Sequence, residues 1–199
     1  MNQTKRFLAT GGGGLVVFLG SKTEAQNYND SLSSILPARL KGALSSPGGA
    51  HLRRLNASHP ALRGLAGEIK VERTRVNRMF DLEPLGSAVV LAAAEGFSSV
   101  APPGGAQEAH PFLLERRTGA GACLLFASSA DADWNNLPAR PFFLPLLHKI
   151  VYYTSGLARS ESGIVVGSRY ELRLPRPQKP VTVSFYGPGS EDEPAATVS

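Results

Sequence analysis

One cysteine, one tryptophan and two methionines in 199 residues exclude several kinds of chemistry at the outset. Cys123 has no second cysteine, so no internal disulfide staples the chain, and a lone thiol does not decide the redox compartment. It sits inside the apolar run Ala122 to Ala127 rather than on a turn, where a thiol is buried and inert. No stretch approaches the ~20 apolar residues of a membrane span, and no apolar signal-peptide core follows Lys5 and Arg6. Taken alone, the chain reads as soluble. No G-x-S-x-G or G-x-C-x-G elbow occurs, so the common covalent machinery of α/β hydrolases is not visible. The four histidines, His51, His59, His110 and His148, stand singly, without the paired spacing of a zinc site. Each reads as structural or surface, and no cofactor is implied.

What is present is a core of ordinary size. A hydrophobic content of 42% in 199 residues supports one α/β domain plus a small addition. The 21 glycines and 15 prolines concentrate in connections such as Gly11 to Gly14, Pro47 to Gly49, Pro102 to Gly105 and Pro175 to Pro180. Net charge is +5, unevenly spread. Between Arg39 and Arg78 lie Arg39, Lys41, Arg53, Arg54, Arg63, Lys70, Arg73, Arg75 and Arg78, against only Glu68 and Glu72. Such a stretch attracts an anionic polymer or lipid, or is simply a solvated face. No nucleic-acid motif or aromatic interleaving accompanies it, so nucleic acid is not expected.

The most informative stretch is Gly119 to Gly156. Ala122 to Ala127 has the continuous apolar character of a strand covered on both faces. Ser128 to Arg140 is polar and turn-rich. Phe143, Leu146, Leu147, Ile150, Val151 and Thr154 then recur at helical spacing, with Pro141 suited to the first turn and Gly156 to a C-terminal cap. In open α/β sheets ligands gather beyond strand carboxyl ends. The candidate ligand-binding residues are therefore Asp131, Asp133, Trp134, Asn135, Asn136 and Arg140. Asp131 and Asp133 with Asn135 and Asn136 would suit a hard cation; a capping role for Asp133 or Asn135, with Trp134 covering the core edge, is the simpler reading, and no metal is assigned.

Elsewhere, Gln3 to Thr10 reads as the last turns of a helix and Leu15 to Leu19 as another buried strand. The intervening glycines precede a strand, whereas a phosphate loop follows one. Ser21 to Ile35 reads as a helix with Tyr28, Leu32 and Ile35 on one face, and Gly42 to Gly49 as a loop. His59-Pro60 forces an extended or turn conformation. Glu68 to Phe80 reads as a half-exposed strand with a bend, and Ala88 to Ala94 as a further strand. Phe97 to His110 has the composition of a flexible insertion, and Phe112 to Ala127 that of a hairpin with a Gly-containing turn. Beyond Gly156, Ile164 to Val166, Tyr170 to Leu174 and Val181 to Tyr186 read as strands between proline-rich turns. The expected organisation is a mixed-sheet α/β domain over residues 1–158, cut at its N-terminal side, followed over 159–199 by the opening strands of a truncated β-sandwich-like module.

Gly11 to Gly20 (GGGGLVVFLG), Ser58 to Leu65 (SHPALRGL) and above all Ser129 to Tyr152 (SADADWNNLPARPFFLPLLHKIVY) resemble the class I glutamine amidotransferase-like domain of large bacterial membrane proteins. These are related to Bat-type aerotolerance proteins and carry von Willebrand factor A-like domains. The resemblance spans about residues 5–157. It implies a flavodoxin-like fold, a parent anchored in the inner membrane with this domain extracytoplasmic, and partners among other domains of that parent or its operon. His59-Pro60 with Arg63-Gly64 is also similar to the trehalose-utilisation type of amidotransferase-like domain. True amidotransferases place a His and a Glu where this chain has Ser129, Ala130 and Asp131, and a nucleophilic cysteine before or near Leu15 to Gly20, where none occurs. The resemblance therefore implies a non-catalytic binding or scaffolding domain. The alternatives are a hydrolase or carbohydrate-active domain using Asp131 and Asp133, and anionic polymer or lipid binding through residues 39–78.

Overall fold

A tight turn at Gly119 and Ala120 sets the geometry of the sheet. The computed structural model describes residues 3–65, 71–97, 108–155, 183–185 and 196–198. In it β5 (Ala109–Thr118) and β6 (Gly121–Phe126) form an antiparallel hairpin, with Thr118 opposite Gly121. Gly119 has φ +61°, and a Cβ there would collide with the backbone of Ala9 in α1 (Gln3–Gly11). A side chain is excluded on both counts, which explains why the turn needs glycine and how α1 lies so close over it.

Every residue of β6 is buried, as its apolar run requires. On its other side β6 pairs in parallel with β1 (Gly14–Phe18), Gly14 opposite Ala122 through Phe18 opposite Phe126. Phe18 stacks on Phe126 at 4.3 Å, and Phe112 meets the same ring edge-on. Each fully buried Leu or Phe contributes about 1.5–3 kcal/mol. An exposed pair such as Lys41–Glu83, at 3.7 Å, contributes about 0–1 kcal/mol, so the apolar centre dominates. β1 is only half buried, contrary to the doubly covered strand expected at Leu15 to Leu19, because it has no strand beyond it among the described residues.

The six-stranded sheet has the order β1-β6-β5-β4-β2-β3, with β2 Ala38–Leu55, β3 Arg75–Pro84 and β4 Val89–Glu95. It is mixed, with β1/β6 its parallel pair and its other neighbours antiparallel. β2 corrects the loop expected at Gly42 to Gly49: those residues lie within an 18-residue strand. The turn-like composition is absorbed by irregularities, since the ladder with β3 breaks between Leu40 and Ala43 and between Ser45 and Ala50. The second break lets β2 bend from β3 toward β4, which it pairs from His51 onward.

The helix expected over Ser21 to Ile35 is shorter, α2 (Ala25–Leu32), and buries no residue fully. Ile35, beyond its end, is fully buried. Asn29 fastens α2 to β2, donating from Nδ2 to the Leu40 carbonyl (2.8 Å) and accepting at Oδ1 from the Leu40 N–H (2.9 Å). α3 (Phe143–Thr154) follows the expected periodicity through buried Phe143, Leu146, Ile150 and Thr154, whereas Val151 faces outward. A 3-10 turn at Val71–Arg73 leads into β3.

The chain divides into two compact units, Met1–Gly163 and Ile164–Ser199. In the second, β7 (Val183–Phe185) pairs antiparallel with β8 (Ala196–Val198). The strands expected at Ile164 to Val166 and Tyr170 to Leu174, the Gly156 cap, and most of the insertion expected at Phe97 to His110 lie outside the described residues. Among the described residues no helix is long and apolar enough to cross a membrane.

Candidate functional site

The loop after β6 behaves first as a seal. β3 is the outermost strand on its side, and the sheet curls until the chain leaving β6 meets it. The Phe80 N–H donates to the Ala127 carbonyl (2.8 Å), the Ser128 hydroxyl to the Arg78 carbonyl (2.9 Å), and the Asn77 and Arg78 N–H groups share the Trp134 carbonyl (2.8 and 3.0 Å). An unpaired strand edge templates association with other chains, and this loop covers it.

That task occupies much of the expected site. Trp134 is buried against Phe80, with the Arg78 guanidinium 4.8 Å above its ring. Asn135 is 1% exposed; its Nδ2 donates to the Ser128 hydroxyl and the Ser129 carbonyl, and its Oδ1 accepts from the Leu137 N–H. Asn136 accepts from the Arg75 N–H at 2.8 Å and returns its own N–H to the Arg75 carbonyl. Arg140 donates to the Arg73 carbonyl. Asp131 and Asp133 face solvent. The Asp131 carboxyl is held below its ordinary range, first by the Ser129 hydroxyl and then by the Asp133 N–H, which donates to Oδ1 at 3.1 Å. The six residues thus share one short loop, four engaged with the fold and two presenting carboxylates to water.

A second constellation was not foreseen. Glu115, in the middle of β5, is 3% exposed, and both its oxygens are taken. Oε2 lies 2.6 Å from His59 Nε2, and Oε1 accepts from the Tyr153 hydroxyl at 2.6 Å. Arg117 donates to the Tyr153 oxygen (2.7 Å) and stands 3.5 Å from Oε1. His59 Nδ1 accepts the Ala61 N–H at 3.3 Å, so the imidazole proton faces Glu115. Burial works to raise the Glu115 carboxyl, but hydrogen bonds from His59 and Tyr153 and the nearby Arg117 charge outweigh it and hold the group below its ordinary value. Burial, followed by the Glu115 hydrogen bond, raises the Tyr153 phenol. With both imidazole nitrogens and both carboxylate oxygens engaged, the network is closed. It ties the His-Pro turn, β5 and α3 together.

Cys123 is fully buried in β6, and burial pushes its thiol up to about 12. The other histidines are dispersed: His51 contacts the Glu72 carbonyl, His110 meets Asp81 at 3.3 Å, and His148 is exposed on α3. An apolar gap lies between sheet and α3, lined by Leu55, Leu62, Phe112, Phe126, Phe142 and Leu146.

No family model matches this sequence, and no curated protein matches it. Solved structures that share the fold include two from Salmonella typhimurium. Cytoplasmic protein STM3548 from Salmonella typhimurium has a TM-score of 0.61 at 16% identity over 76% of this chain. Cytoplasmic protein STM1381 from Salmonella typhimurium LT2 has a TM-score of 0.53 at 18% identity over 78% of this chain. The chain spans 58% of each of those proteins. At such identities the likeness is one of fold, a mixed α/β architecture.

Proposed function

We propose that this chain is a non-catalytic binding and scaffolding domain, flavodoxin-like in architecture, belonging to a membrane-anchored bacterial envelope protein of the Bat-type aerotolerance-like kind. The observation that carries the reading is the state of the one cysteine: a thiol at about 12 inside a fully buried strand is almost entirely protonated at neutral pH and has no access to substrate. The closed His59–Glu115–Tyr153 network supports it, since neither ring nitrogen is free to take a proton from a nucleophile. The binding edge is the loop from Asp131 to Arg140, where an Asx turn fixes the Asp131 carboxylate beside the exposed Asp133 on a segment anchored to β3.

The reading is tested with the purified chain. No glutamine or simple ester hydrolysis is expected, and alkylating reagents should reach Cys123 only after denaturation. Hydrolysis abolished by Cys123→Ala would overturn it. Fractionation of the native protein tests the parent: the expected result is an antibody signal in the membrane pellet, at a mass well above 21.1 kDa.

A further inference from the structure

Where β2 parts from β4 the sheet carries a trough. Arg54 on β2 lies opposite Ala93 on β4, and Ala93 lies opposite Pro111 on β5, so the three stand in one row across three strands and share a face. The middle member carries only a methyl group, which leaves a floor between a guanidinium and a pyrrolidine ring. The ladders are irregular at this row. The β2–β4 register shifts between Leu52 and Arg54, and the β4–β5 register shifts between Val90 and Ala92 and again between Ala92 and Ala93. Pro111 has no N–H to offer its neighbour, a loss that bulges accommodate. Bulges also re-aim side chains and gather beside functional sites.

The row opens into a groove of about 420 Å³ whose lining includes Arg54, Asn56, Val90, Ala92, Ala93 and Pro111. Clefts that take small molecules start at about 300 Å³ and are mostly apolar, with a few placed polar groups. Val90 is a large apolar side chain left exposed at the rim. Asn56 is exposed beside it, fixed by its N–H, which donates to the Leu91 carbonyl at 2.8 Å as the chain leaves β2. Arg54 Nε lies 3.3 Å from Glu95 Oε1, so this cation brings its own counter-charge. The polar end of the groove is therefore electrically balanced while still carrying guanidinium and amide N–H donors. Leu55 and Ala92 also line the apolar gap under α3, so the two spaces share a wall.

We infer that this groove binds an uncharged ligand that joins an apolar body to an amide carbonyl, the chemistry of a short peptide segment with a branched apolar side chain. Charge decides against a carboxylate, because attraction to Arg54 is offset by repulsion from Glu95 at the same guanidinium. A polyhydroxylated ligand fits no better, since hydroxyls set over Val90, Ala93 and Pro111 would be desolvated without partners. An amide carbonyl accepts from Asn56 or Arg54 at one end, and the apolar body covers Val90 and the alanine floor at the other. The site uses none of the residues from Asp131 to Arg140 and stands independently of the envelope-protein reading.

The 199-residue chain, isotopically labelled, is titrated with N-acetyl-leucinamide, with its carboxylate counterpart N-acetyl-leucine, and with acetamide, which lacks the apolar body, while amide and methyl resonances are followed. The expected result is saturable shifts at the Val90, Ala92 and Ala93 methyls and the Asn56 side-chain amide, with N-acetyl-leucinamide bound at least about threefold more tightly than either comparison compound. Asn56→Leu and Val90→Lys, both at exposed positions, should each weaken binding by about three- to tenfold. Val151→Lys, at an exposed position on α3, should change it by less than about twofold. Absence of saturable shifts, equal or tighter binding of either comparison compound, shifts confined to Phe126 and Leu146 in the gap under α3, or an equal loss in Val151→Lys overturns the site. Should Val90→Lys fail to fold by circular dichroism, Asn56→Leu decides, and unchanged binding in that variant counts against the site.

Discussion

His59 Nε2 lies 2.6 Å from Glu115 Oε2, joining a proline-led turn to the middle of a strand 56 residues away in sequence. Both side chains are nearly buried, so water competes little for this hydrogen bond to the carboxylate. Its value is structural: an unpartnered carboxylate in the middle of β5 would be expensive.

Removing one partner should therefore cost more than removing any exposed charge. His59→Ala and Tyr153→Phe, each removing a donor to a buried carboxylate, are expected to destabilise the fold by about 1.5–3 kcal/mol apiece, read from urea midpoints at neutral pH. Equal, sub-kilocalorie effects in both variants would show that the network does not hold α3.

The same carboxylate gives the acid limb of stability a predicted sign. Glu115 is held below its ordinary value of 4.5 in the folded state, so its contribution is complete above that value and is lost as pH falls through the lowered one. Stability measured from pH 7 down to pH 3 should fall more steeply in the wild-type chain than in Glu115→Gln. Parallel curves would contradict the shift.

Asn135 offers a test of the seal. Its amide satisfies Ser128, Ser129 and Leu137 at once, and the Trp134 carbonyl beside it receives two N–H groups of β3. Asn135→Ala should destabilise by about 2 kcal/mol or more and raise hydrogen exchange at Asn77, Arg78 and Phe80. Protection unchanged at those amides would mean that the loop is not held by this side chain.

The parts of the fold written in contiguous signals were legible. The β5–β6 hairpin, the buried β6 run and α3 each carry their period and their turn residues locally. β2 was not, because Pro47, Gly48 and Gly49 spell a loop in any window that cannot see β3 and β4 pairing on either side. The polar loop after β6 was legible, and so was Trp134 covering the core edge with a capping role for Asn135, which accepts the Leu137 N–H; that this loop would meet β3 was not, since β3 lies about 50 residues earlier in the chain. The His59–Glu115–Tyr153 network depends on three distant segments. One clue was present: a glutamate ending the apolar run Phe112 to Leu114 must find donors if the strand is central.

The seal on β3 leaves the sheet polar in a growth sense. One rim is capped by the protein's own loop, while alternate main-chain groups of β1 look outward: Gly13 and Leu19 bond β6, which turns Gly14, Val16 and Phe18 the other way. Among the described residues, extension of this sheet by another strand is therefore one-directional, toward β1, and an insertion in the 128–136 loop would expose the β3 rim as well.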